Sequence, residues 1–151
     1  MSKVAAFTAG WMSHRKALLE LLNSVQDQHL NYKPWEKGMT LAELALHIAG
    51  STAMFVQIVK TGSFQPPGEA PKPASADELR AAVQAATEQT KADLESLTDA
   101  QLEQIVEFKT MKMPGGAMLE MAKEHEIHHK GQLFTYARLL GIDPLPFFVI
   151  R

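Results

Sequence analysis

AMLEMAKEHEIHHKGQLFTYARLL, residues 117–140, is the stretch on which the fold turns. Met118, Ala122, His125, His129, Gln132 and Tyr136 recur in it at alternating steps of four and three, which traces one face of an α-helix. Gly141 follows as a stop. The face has the spacing of a core stripe, yet imidazoles and an amide occupy its middle. Each unpaired polar group buried there would cost about 1–3 kcal/mol, and a metal ion is one partner that satisfies several at once. His125 and His129 project about 40° apart around the helix, so both can grip one cation.

A third imidazole comes from far upstream. Thr40-x-x-Glu43 is a capping box that opens a helix running to about Lys60. Leu44, His47, Ser51, Met54 and Ile58 share one face of it, which points His47 inward. Three neutral nitrogen ligands with one position open are the signature of a catalytic rather than a structural site. The competing reading is that these histidines are hydrogen-bonded core residues. His128 points about 100° away from His129 and reads as a supporting or surface group. His14 and His29 have no partner pattern and are expected in surface or packing roles. The eight methionines read as helical core filler.

Outward from these two helices, the first helix spans about Ser2 to Val25, with Val4, Phe7, Trp11, Leu18, Leu22 and Val25 at helical spacing. Pro34 and Gly38 break the chain after it. Thr61 to Ala74 holds Pro66, Pro67, Pro71 and Pro73 and reads as a crossover. Extended, it reaches about 45 Å, more than the roughly 30 Å of a 20-residue helix. It can therefore return the chain to the far end of a bundle and leave helices two and three parallel. The third helix opens at Ser75-x-x-Glu78 and runs to about Leu97. Thr98-x-x-Gln101 caps a short turn. Ile105 to Met113 alternates like an extended excursion or small hairpin, which Pro114-Gly115-Gly116 ends before the fourth helix begins near Ala117. The expected fold is all-α: a four-helix bundle, up-down-down-up, with a long crossover between helices two and three and a small β-hairpin before helix four. The apolar, proline-broken tail from Ile142 is expected to pack on the bundle or on a partner subunit.

Composition narrows the function. The 151 residues suit a single domain, 1–151, and 46% hydrophobic content supports a core. A net charge of −2 without a basic stripe argues against nucleic acid. Cysteine is absent, so any metal must use His, Asp or Glu, and a cytoplasmic setting is expected. No run of about 18 apolar residues suggests a membrane span. His125-Glu126-x-x-His129 matches the zinc-protease pattern, in which the Glu is a general base. Such enzymes need a further downstream ligand, and neither Glu nor His follows His129. Glu126 is left free to sit near a metal-bound water, and Glu126, Gln132 and Tyr136 are the candidates to orient nucleophile or substrate.

These motifs together resemble the DinB family of DinB/YfiT-like metalloenzymes. The resemblance covers nearly the whole chain and rests on MTLAELALHI (39–48) and HEIHHKGQL (125–133), followed by Gly141 and Pro144. Lys130 stands where the family pattern has Arg, which keeps the charge and loses the planar fork. The resemblance implies a four-helix bundle, often a homodimer, with a divalent metal, zinc or nickel, on His47, His125 and His129. It also implies an enzyme: a thiol-dependent S-transferase using a low-molecular-weight thiol, or a hydrolase, acting on a small electrophilic molecule. The alternative is a non-catalytic metal-binding or stress-response protein.

Overall fold

The computed structural model describes residues 1–151. In chain order it contains α1 (Lys3–Leu22), a 3-10 turn (Asp27–His29), α2 (Leu41–Thr61), α3 (Ala76–Glu95), the short α4 (Asp99–Glu103), strands β1 (Ile105–Phe108) and β2 (Met111–Pro114), and α5 (Gly115–Leu139). Four long helices form the bundle, and the antiparallel two-stranded hairpin precedes the last, as the sequence predicts.

Local chemistry sets the starts. Thr40 accepts from the Glu43 backbone N–H while the Glu43 carboxylate accepts from Thr40 N, so the capping box at α2 is complete. Thr98 and Gln101 make the same reciprocal pair at α4. At α3 Ser75 caps the Glu78 N–H, but the Glu78 carboxylate reaches one residue further back, to Ala74 N. Gly62, with φ of 83°, ends α2 in the left-handed conformation.

Packing confirms the up-down-down-up path. α2 lies against α3 and α5, and α1 lies against the same two helices. The start of α3 meets the end of α1, where Asp27 accepts from Ala76 N. The ends of α2 and α3 lie together, where Lys60 and Gln57 donate to Asp93. The crossover therefore leaves α2 and α3 parallel.

The core is divided. One apolar cluster joins Leu18, Leu22, Leu44, Ile48, Leu79 and Leu133. The other joins Phe7, Trp11, Phe55, Ile58, Leu94 and Met118 at the opposite end. Between them lies a fully enclosed polar layer of Arg15, Thr52, Thr87 and Glu126, one residue from each long helix. Against the sequence expectation, α2 is long and apolar enough to cross a membrane by length and composition alone, but more than half of its apolar stretch is buried in the bundle. That burial is the behaviour of a core helix.

α5 begins two residues earlier than the Gly-Gly pair implies. Gly115 N donates to the Gln104 carbonyl at 2.8 Å. A Cβ at Gly115 would sit 2.5 Å from the Gln101 carbonyl oxygen and 3.0 Å from Val59 Cγ1. The glycine is there for close approach to α4, so it does not interrupt the helix. Gly115→Ala is expected to lower unfolding stability by about 1–3 kcal/mol in urea titrations, the usual range for overpacking. Gly116→Ala, whose Cβ would meet nothing closer than 3.4 Å, should cost far less.

Candidate metal centre

His47 projects from the second turn of α2, and His125 and His129 project from the facing turns of α5. The ring centroids lie 5.0 Å (His47–His125), 4.7 Å (His47–His129) and 4.4 Å (His125–His129) apart. One nitrogen from each ring lies within 4.8 Å of the other two, and all three rings are half-buried. The structure thus brings together all three residues singled out from the sequence, in an arrangement that can hold a metal ion.

The surroundings fit that use. The Gln132 amide oxygen lies 2.7 Å from His129 Nδ1. An amide oxygen only accepts, so Nδ1 carries the proton and Nε2 keeps a free lone pair. Ser51 Oγ stands 3.5 Å from His47 Nδ1. His125 Nδ1 is buried with no hydrogen-bond partner, an expense the fold would carry for nothing unless a ligand satisfies it. Burial, with the neighbouring His129, His47 and His128 rings adding to it, holds the His125 imidazole down at about 4. Burial, and then the His129 ring, lowers His47 as well. Both are therefore neutral, with a lone pair to offer, at neutral pH.

This depression links stability to pH. Below pH 6.5 the unfolded chain takes up protons that the folded His125 refuses until about pH 4. The metal-free protein should hold its full stability above pH 6.5 and lose it progressively as pH falls towards 4. His125→Gln should flatten that slope in thermal melts across the window.

Glu126, a candidate for the metal's neighbourhood, points away from the imidazole cluster. It is completely buried on another face of α5 and accepts from Trp11 Nε1 at 2.9 Å, Arg15 Nε at 2.8 Å, Arg15 Nη2 at 2.7 Å and Thr52 Oγ1 at 2.9 Å. Arg15 Nη1 donates onward to Thr87. The reason is angular: one residue along a helix is about 100° of rotation, which turns Glu126 into the bundle axis when His125 faces α2. A carboxylate saturated with four donors is a structural anchor and no general base. Tyr136 is also occupied elsewhere, donating to the Met39 carbonyl at 2.9 Å. Of the three orienting candidates only Gln132 touches the cluster.

The other histidines have defined places. His128 is exposed, with its ring 4.7 Å from His129. His29 caps the 3-10 turn by accepting from Gln26 N. His14 Nδ1 lies 2.8 Å from the Lys130 ammonium, which also donates to the Phe148 carbonyl. Lys130 therefore makes no ion pair; it ties the C-terminal tail to α1, helped by Ile150 N donating to the Ser13 carbonyl. The anchor residue missed in the sequence, Arg15, had a signal. It fills the gap between Trp11 and Leu18 in the apolar stripe of α1, at steps of four and three.

The comparisons with known proteins agree with this architecture. The DinB family model matches residues 1–151. The uncharacterized protein YjoA of Bacillus subtilis (strain 168) is 38% identical over 144 residues, 93% of each chain. The crystal structure of that DinB-like protein superposes with a TM-score of 0.85 at 36% identity, covering 97% of this chain and 99% of its own. A DinB-like protein from Bacillus cereus ATCC 10987 gives 0.77 at 26%, covering 93% and 94%. The mycothiol-dependent maleylpyruvate isomerase shares the fold alone, with a TM-score of 0.56 at 16% identity over 83% of this chain and 58% of that one. With its helical path, its three converging histidines and a whole-length family match, the chain belongs to the DinB family.

Proposed function

We propose that the protein is a metal-dependent enzyme in which His47, His125 and His129 hold one divalent cation, zinc or nickel, and a small electrophilic molecule is attacked by a low-molecular-weight thiol or by water. The observation that carries this reading is the convergence of three imidazoles from two helices, one of them with a buried, unpartnered nitrogen. An all-imidazole donor set suits borderline cations such as zinc and nickel and disfavours calcium or magnesium. Bound there, the cation supplies Lewis acidity, favouring the deprotonated form of the thiol or water in its open position.

The chain's own residues do the positioning. Gln132 fixes the His129 ring and its tautomer. The Phe55 ring, 6.4 Å from that of His125, gives one side of the cluster an apolar neighbour. A thiol co-substrate is favoured over plain hydrolysis by fold-level likeness to a thiol-dependent isomerase. A cytoplasmic setting, where such thiols are held reduced, goes with this reading. Exposed Leu139, Phe147 and Phe148 supply apolar surface on which a homodimer can close.

Untagged protein, assayed for metal by elemental analysis and then mixed with a thiol and a panel of electrophiles, tests the reading. It should carry about one zinc or nickel per chain and consume thiol with an electrophile. Fully loaded protein that neither consumes thiol nor hydrolyses any member would overturn the enzymatic assignment.

A further inference from the structure

Beside His47, a groove of about 500 Å³ runs between the outer face of α2 and the proline-rich crossover. Two features of its wall bear on what it takes. The first is Gly50. Glu43, Leu46, His47, Gly50 and Met54 form one helical stripe along α2, so Gly50 sits on the groove floor one turn beyond His47. A glycine inside a helix costs about 1 kcal/mol relative to alanine. No close approach explains it, because a Cβ at Gly50 would meet nothing within 4 Å. The space a side chain would fill is left open towards the groove.

The second feature is charge. Met39, Leu46 and Met54 give the wall its apolar area, and Glu43 and Glu69 are its charged members. Neither Lys nor Arg lines it. Glu69 lies 3.7 Å from Lys72, but that pair is well exposed and Lys72 stands outside the wall. Apart from the cation proposed at the histidine centre, an anionic group in the groove would meet two carboxylates and no lysine or arginine of the wall, with Lys33 acting on Glu43 only from outside it, whereas an apolar body would meet methionine and leucine.

We propose that this groove is the substrate subsite of the histidine centre, that Gly50 keeps its floor open, and that it selects electrophiles with an apolar body free of negative charge. The proposal rests on the metal-site reading above and goes on to name the substrate class.

The test uses cobalt-loaded full-length protein and two series of metal-directed probes, thiols and hydroxamates, each with a phenyl or a carboxylate tail of similar length. The phenyl member of each series should bind about tenfold tighter than its carboxylate partner, a difference of about 1.4 kcal/mol. Gly50→Leu should remove that preference while leaving cobalt affinity unchanged and thermal stability undiminished. Gly131→Ala, which fills an equally unpacked mid-helix glycine outside the groove, should change neither. Equal affinity for the two tails, or a Gly50→Leu protein that keeps the preference, overturns the subsite. Absence of a cobalt–thiolate charge-transfer band, with hydroxamates still discriminating, overturns the thiol reading and upholds the groove. Failure to bind cobalt at all overturns both.

Discussion

His125→Ala and His129→Ala should each yield a folded protein that no longer retains metal in stoichiometric amount. Both side chains are only half-buried, so truncation leaves a solvent-accessible gap and no collapsed core. Two imidazoles remain in each variant, and with one of the three ligands gone the site would no longer hold a cation tightly. Gln132→Ala should be milder, a weakening of about 10–100-fold, because it removes only the partner that orients His129. His14→Ala, in contact with Lys130 and distant in role from the cluster, should retain full loading. Competition with a chromophoric chelator, checked by elemental analysis, ranks the four. His47→Ala with wild-type affinity would reduce the site to the α5 pair and remove the three-ligand assignment.

Glu126→Ala should be the most destabilising single change among the polar residues, at about 3–5 kcal/mol in urea titrations of metal-free protein. It strips the acceptor from Trp11, Arg15 and Thr52 together and leaves a guanidinium in a site with no exposure. The pair itself need not be worth that much, since two desolvated charges repay much of their attraction in lost hydration. Arg15→Met combined with Glu126→Leu should therefore recover most of the loss, and a double-mutant cycle measures the coupling directly. A cost below about 1 kcal/mol for Glu126→Ala would mean that water enters the layer and replaces the lost acceptor.

The helices were readable because their signals are local. The Thr40-x-x-Glu43 and Thr98-x-x-Gln101 boxes each close within one turn. The His125/His129 spacing needs only the helical repeat, and His47 needs only the apolar neighbours that define its face. Glu126 could not be placed by such signals. Its four hydrogen bonds come from two other helices, at separations of 74 to 115 residues. A carboxylate and a guanidinium are also outside by default in any reading of composition. The start of α5 was misplaced for a related reason. Propensity marks Gly115-Gly116 as loop, while the packing against Gln101 and Val59 that requires a glycine is tertiary. The groove was out of reach altogether, because its second wall is a crossover with no periodicity.

The long return between α2 and α3 carries a consequence for biosynthesis. A ribosome delivers His47 early, whereas His125 and His129 emerge only after α3, the hairpin and the first turns of α5 have been made. Until that last segment docks, the early imidazole has no companions, and the growing chain offers no site for a scavenged ion. On the metal-site reading proposed above, loading becomes an end-of-line event that reports on completed folding.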